Sequence, residues 1–146
     1  MNNSTPVSCF SRPDWVTSFD GLQYKQENEK AMPRLSYQVY VIELSKRVFT
    51  ENAKFRAANP QYNGVLECLY VGMTSKTPQE RFKQHKEGYK SKRGHQLSSN
   101  IVRKYGNFLR PSLYNHIDRK TKKAAMEAEE ELALLLRRQR YAVWFN

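Results

Sequence analysis

A chain of 146 residues with 25 Lys+Arg against 14 Asp+Glu carries a formal net charge of +11. That length holds one domain with a modest core, and so large a basic excess points to a polyanionic partner, nucleic acid ahead of an acidic membrane surface. No apolar run approaches the ~20 residues of a membrane span, so no membrane partner is expected.

In chain order, residues 1–35 are polar and marked by Pro6, Pro13 and Pro33, with scattered Phe10, Trp15, Phe19 and Leu22. They read as an N-terminal extension or arm, leaving 36–146 as the domain. The opening MNNSTPVSCF lacks the basic start and apolar stretch of a secretory signal. Cys9 and Cys68 make neither a disulfide framework nor a metal-ligand spacing, so a cytoplasmic, reducing setting is expected. YQVYVIEL (37–44) is rich in β-branched and aromatic residues and predicts a strand. Residues 45–63 are charged and accommodate a short helix before NPQYNG. VLECLYVGM (65–73) predicts a second strand, with Cys68 as a small core residue. The two strands suggest an antiparallel pair with a long connection.

The next element has a clear start. Thr77 is placed as N-cap, Pro78 at the first helical position and Glu80 three residues after the cap, which is a capping box with an N1 proline. Gly88 is the expected stop. Arg81 and His85, four apart, share one face of this helix, and Phe82 turns toward the core. Residues 89–100 form a basic, polar loop. NIVRKYG resembles a helix end stopped by Gly106, and FLRPSLYNHI, with its proline, is at best an edge strand. Residues 118–140 carry the longest helical pattern, acids toward the first half and arginines in the last turn, which suits the helix dipole. YAVWFN (141–146) predicts a short terminal strand.

Together these segments carry a resemblance. QVYVI followed by LYVGMT resembles the two-strand signature of the GIY-YIG nuclease superfamily, with Tyr40 and Tyr70 as its tyrosines. RFKQHKEG is similar to the family's next motif, with Arg81 and His85. The run from Glu129 to Arg137 is similar to the metal-binding glutamate helix, and VWFN to the closing strand with Asn146. Gln38 stands where the family name supplies glycine, which puts the first strand's local geometry in question. The connection from Leu44 to Val65 is longer than a minimal hairpin and is a candidate specificity insert.

The resemblance implies an α/β fold: a small, mainly antiparallel three-stranded sheet surrounded by helices. It implies a divalent-metal-dependent endonuclease hydrolysing DNA, with Mg²⁺ or Mn²⁺ as cofactor. The residue chemistry agrees. Phosphodiester hydrolysis needs a nucleophilic water, a Lewis acid and compensation for extra negative charge. Tyr40 is a candidate acceptor of the water's proton, its phenolate favoured beside a cation and an arginine. His85 is a second candidate base, or a relay. Arg81 offers a planar fork to two phosphate oxygens. Glu129 supplies an anionic oxygen to a hard cation that keeps waters, Tyr70 a hydrogen bond to phosphate or water, and Asn146 a positioning amide. Glu129 is preferred over Glu131 because Ala125, Leu132 and Leu136 flank it along one inward stripe. Lys83, Lys86, Lys90, Lys92 and Arg93 are expected to attract the nucleic-acid backbone.

Taken singly, each feature has a plain reading: amphipathic strand tyrosines, an exposed helix face, a solvated acidic run. Their joint order is what those readings leave unexplained. Two rivals remain: a nucleic-acid-binding module of the same fold without turnover, and a structural RNA-associated basic protein that has no need of the glutamate.

Overall fold

The computed structural model describes residues 34–90, 92–93 and 99–146. The arm expected over residues 1–35 lies outside them apart from Arg34 and Leu35. Leu35–Asn146 forms one compact unit, and among the described residues no helix is long and apolar enough to cross a membrane.

The domain is built on a sheet of order β3-β1-β2-β4. β1 (Gln38–Leu44) and β2 (Cys68–Thr74) form its antiparallel centre. Both are near-continuous apolar runs because the sheet is covered on both faces, and Val39 to Ile42 and Cys68 to Gly72 are buried throughout. β3 (Gly106–Leu109) pairs antiparallel with β1, and β4 (Ala142–Phe145) pairs parallel with β2. The sheet therefore has four strands, mixed in direction, one more than the three expected. Each outer strand has four residues and one neighbour, so its own sequence signals its pairing weakly. The proline anticipated as a strand breaker, Pro111, opens a 3₁₀ turn directly after β3.

The long connection holds two short helices, α1 (Arg47–Glu51) and α2 (Ala53–Ala58). Val48 and Phe55 are fully buried in the core, and the Phe55 ring stacks on Trp144 of β4 at 6.4 Å. Buried Asn59 ends this segment. Its amide donates to the Phe55 carbonyl at 2.8 Å, and its oxygen accepts the Val143 N–H at 2.7 Å. The connection thus covers the open edge of β4, which would otherwise present unpaired backbone groups. Val48, Phe55 and Asn59 are the buried anchors of this connection, and most of its other residues are exposed.

Three further helices complete the domain: α3 (Pro78–Glu87), α4 (Asn100–Tyr105) and α5 (Lys122–Arg138). α3 starts and stops where its caps predict. The Thr77 hydroxyl accepts the Glu80 N–H at 3.1 Å, Pro78 fills the first turn, and Gly88 closes it in the left-handed region at φ 69°. α5 turns Ala125, Glu129, Leu132, Ala133 and Leu136 toward the core. It begins at Lys122, so its first turn contains no acid, contrary to the expected match with the dipole.

Candidate active site

The register of the central strands builds the floor of the site. Tyr40 lies opposite Gly72, and Ile42 opposite Tyr70. Residues directly opposite share a face, as do residues two apart, so both tyrosines project from the same side of the sheet. Their ring centroids are 6.3 Å apart. Gly72 makes this possible: a Cβ there would stand 2.6 Å from the Tyr40 hydroxyl oxygen and 2.7 Å from Cζ. Gln38 sits in the regular ladder opposite Thr74, and the only positive-φ non-glycine among the described residues is Arg140. The missing glycine therefore leaves β1 in ordinary extended geometry.

α3 supplies the next wall. His85 is buried, with its ring 6.3 Å from Tyr40 and 5.6 Å from Tyr70. Its Nε2 lies 2.8 Å from the Tyr40 hydroxyl, and the Ser99 backbone N–H donates to its Nδ1 at 2.8 Å. A neutral imidazole accepting at Nδ1 carries its proton on Nε2. The ring is neutral, since burial first and the Arg81 charge second push its pKa down to about 4. The Nε2–H therefore donates to Tyr40, and neither ring nitrogen is left to accept another proton. Arg81, one turn earlier, reaches the Tyr40 hydroxyl and donates from Nη1 to Gln84 at 3.1 Å.

Burial, followed by the neighbouring Tyr70, drives the Tyr40 phenol well above its ordinary value, and Arg81 opposes this. Tyr70 is raised chiefly by burial, and the Asn146 amide donating to its hydroxyl at 3.0 Å opposes the rise. Asn146 is held there from behind. Arg137 of α5 donates to the Val143 carbonyl at 2.8 Å and lies 5.2 Å over the Phe145 ring.

Glu129 contributes a buried carboxyl, 7% exposed, whose pKa burial raises to about 7. It has no hydrogen-bond or ion-pair partner among the described residues, yet it interacts electrostatically with both tyrosines. Glu131 sits on the exposed side of α5. A carboxyl this far removed from water is costly to ionise alone, and a hard cation is a partner its chemistry suits. No group of three or more His, Cys, Asp or Glu side chains converges among the described residues. The fit is to an ion that takes one protein carboxylate and otherwise keeps water and phosphate oxygens, as Mg²⁺ does.

The basic residues divide. Lys86 differs from expectation: its ammonium donates to the Arg103 and Gly106 carbonyls at 3.1 and 2.9 Å, tying α3 to the end of α4. Lys83 lies about 200° around α3 from Arg81, where it is solvent-exposed and 4.0 Å from Glu87. Lys90, Lys92 and Arg93 are exposed beyond the Gly88 cap. Gly72 and the Ser99 backbone join the site without having been among its expected residues. Gly72 carries a partial signal, a glycine inside a strand next to a tyrosine. Ser99 carries none, since its role is played by the main chain.

Residues 37–142 match the family model of the GIY-YIG catalytic domain. The chain belongs to that family; it is a nuclease-type domain, and nucleic acid is its class of substrate. No curated protein and no solved structure gives a significant match.

Proposed function

We propose that the protein is a divalent-metal-dependent endonuclease that hydrolyses phosphodiester bonds of DNA in the cytoplasm. The observation that carries this reading is a carboxyl only 7% exposed, Glu129, electrostatically coupled to a Tyr40 hydroxyl that His85 and Arg81 both approach. Arg81 clamps two oxygens of the scissile phosphate. Tyr40 Oη, present as the phenolate, takes the proton of the attacking water as the new P–O bond forms and becomes the neutral phenol, while the P–O bond to the leaving oxygen breaks and that oxygen is protonated from solvent. Before the transfer the His85 Nε2–H and the Arg81 guanidinium steady the phenolate charge. His85 is then a positioning and hydrogen-bonding group, not the base. Tyr70, held by Asn146, donates to a non-bridging phosphate oxygen. When bound at Glu129, a divalent cation such as Mg²⁺ or Mn²⁺ supplies Lewis-acid charge at the phosphate and the positive field that offsets burial of the phenol. Lys90, Lys92 and Arg93 are assigned to flanking phosphates.

The test is a panel of single-stranded, duplex and branched DNA together with RNA, incubated with Mg²⁺, Mn²⁺ or EDTA. Internal cutting of DNA in metal and none in EDTA is expected. Preferred cutting of RNA overturns the DNA assignment, and undiminished cutting in EDTA overturns the metal dependence.

A further inference from the structure

A cavity of about 550 Å³ opens where β2 ends and α5 begins, beside the middle and the end of α3, and Arg81 forms part of its wall. Lys76 and Lys122 supply two more cations, and Tyr37, Tyr89 and Gln84 stand around them. No carboxylate lines it among the described residues. We propose that this cavity seats an unpaired nucleotide next to the scissile phosphate, with its base stacked on Tyr89 and its phosphate among Lys76, Arg81 and Lys122. This inference rests on the nuclease reading and names its substrate class: single-stranded or branched nucleic acid ahead of continuous duplex.

Three features carry it. The first is charge. Lys122 occupies the first position of α5, where the helix dipole disfavours a cation, and no acid in that turn compensates. The ammonium groups of Lys76 and Lys122 have no partner among the described residues. Three like charges around one hollow repel each other, and an anion placed between them reverses that cost. The second is the aromatic wall. Tyr89, an aromatic side chain among the cavity's lining residues, is 46% exposed. It is not on a loose segment, because its N–H donates to the Gln84 carbonyl at 3.0 Å directly after the Gly88 cap. On the other wall, Tyr37 is fixed by paired backbone hydrogen bonds with Lys120 at 2.9 and 2.8 Å. The third is continuity: Arg81 borders the cavity and also reaches Tyr40, so a strand held at the reacting phosphate passes this hollow next.

Cations alone would suit duplex and single strand equally. The exposed ring favours the latter, since a duplex keeps its base faces stacked on each other and offers the protein only phosphates and base edges. An unpaired base presents a face, and stacking on an aromatic side chain tolerates any sequence.

The experiment measures equilibrium binding in EDTA by fluorescence anisotropy, with full-length wild type, Tyr89→Ala and Tyr89→Phe. The probes are a short DNA single strand, the matched duplex, and single strands carrying one abasic nucleotide at successive positions. Tyr89→Ala should weaken single-strand binding about tenfold, the size of one base-stacking interaction, while duplex binding is unchanged and Tyr89→Phe behaves as wild type. Removing the base at the seated position should erase the difference between wild type and Tyr89→Ala. Equal weakening on both probes, or none on the single strand, overturns the proposal. Cleavage by the same wild-type preparation in Mg²⁺ is scored separately. Cutting without the Tyr89 effect retains the nuclease and rejects the cavity assignment; the Tyr89 effect without cutting does the reverse.

Discussion

Replacing Glu129 by glutamine removes a buried ionisable group while keeping its shape, and the sign of the result depends on pH. Burial holds the carboxyl pKa at about 7 in the folded protein, against about 4.3 in the unfolded chain. Between those values the folded state keeps a proton that the unfolded chain has released. Stability therefore falls as pH rises through that window, and the fall is complete above it. At about 1.36 kcal/mol per pH step the full displacement converts to roughly 3 to 4 kcal/mol. The side chain retains some exposure to water, 7%, which screens the penalty to about 2 kcal/mol. Glu129→Gln should match wild type near pH 4 and exceed it in stability by that amount at pH 8. For a domain of this size the gain is roughly 5–8 °C in Tm. His85 titrates in the opposite sense, its neutral burial costing stability as pH falls toward 4, but it is common to both proteins and cancels. The assay is thermal unfolding of both proteins in EDTA from pH 4 to 8, repeated in Mg²⁺, which should raise the wild-type Tm at pH 8 and not that of Glu129→Gln. An identical Tm difference at both ends of the pH range would show that Glu129 does not titrate in this window.

Gly72→Ala places a Cβ 2.6 Å from the Tyr40 hydroxyl. It should displace the ring from His85 and reduce single-turnover cleavage on the order of a hundredfold or more, with far-ultraviolet circular dichroism unchanged; wild-type cleavage would show that the Tyr40 position is not needed. Asn59→Ala leaves the Val143 N–H without its acceptor, so denaturant unfolding should reveal a destabilisation of about 1–3 kcal/mol. A change within error would show that β4 does not depend on the α1–α2 connection. Lys86→Ala should lower stability without altering the salt dependence of nucleic-acid binding. Joint replacement of Lys90, Lys92 and Arg93 should flatten the slope of log K against log salt by roughly 0.9 for each phosphate no longer neutralised on duplex DNA; the reverse pattern would return Lys86 to the substrate.

Local signals are legible in this chain and non-local ones are not. The bounds of α3 can be read from Thr77, Pro78 and Gly88 because capping is settled within a few residues. Glu129 separates from Glu131 because Ala125, Leu132 and Leu136 mark the buried stripe of α5. The sharing of one sheet face by Tyr40 and Tyr70 needs the register that sets Tyr40 against Gly72, a pairing across the long connection. Lys86 reads as a substrate cation in sequence because its carbonyl partners lie at Arg103 and Gly106, far along the chain. Lys83 is different: two residues on from Arg81 is the opposite side of a helix, so its place away from the site follows from spacing alone. The proton on His85 Nε2 has no sequence signal, because a main-chain N–H at Ser99 sets it.

Whether this domain cuts DNA through a metal held at Glu129 is decided by single-turnover cleavage and equilibrium binding on the same labelled DNA, with wild type, Glu129→Ala and Arg81→Ala in Mg²⁺ and in EDTA. Internal cutting by wild type in Mg²⁺ alone is expected. Both variants should cut more slowly by a factor on the order of a thousand or more, with binding by Glu129→Ala intact or tighter because a phosphate-repelling charge is gone. Cutting by Glu129→Ala at the wild-type rate, or tight binding by wild type with no cutting in either Mg²⁺ or Mn²⁺, would contradict the proposed mechanism.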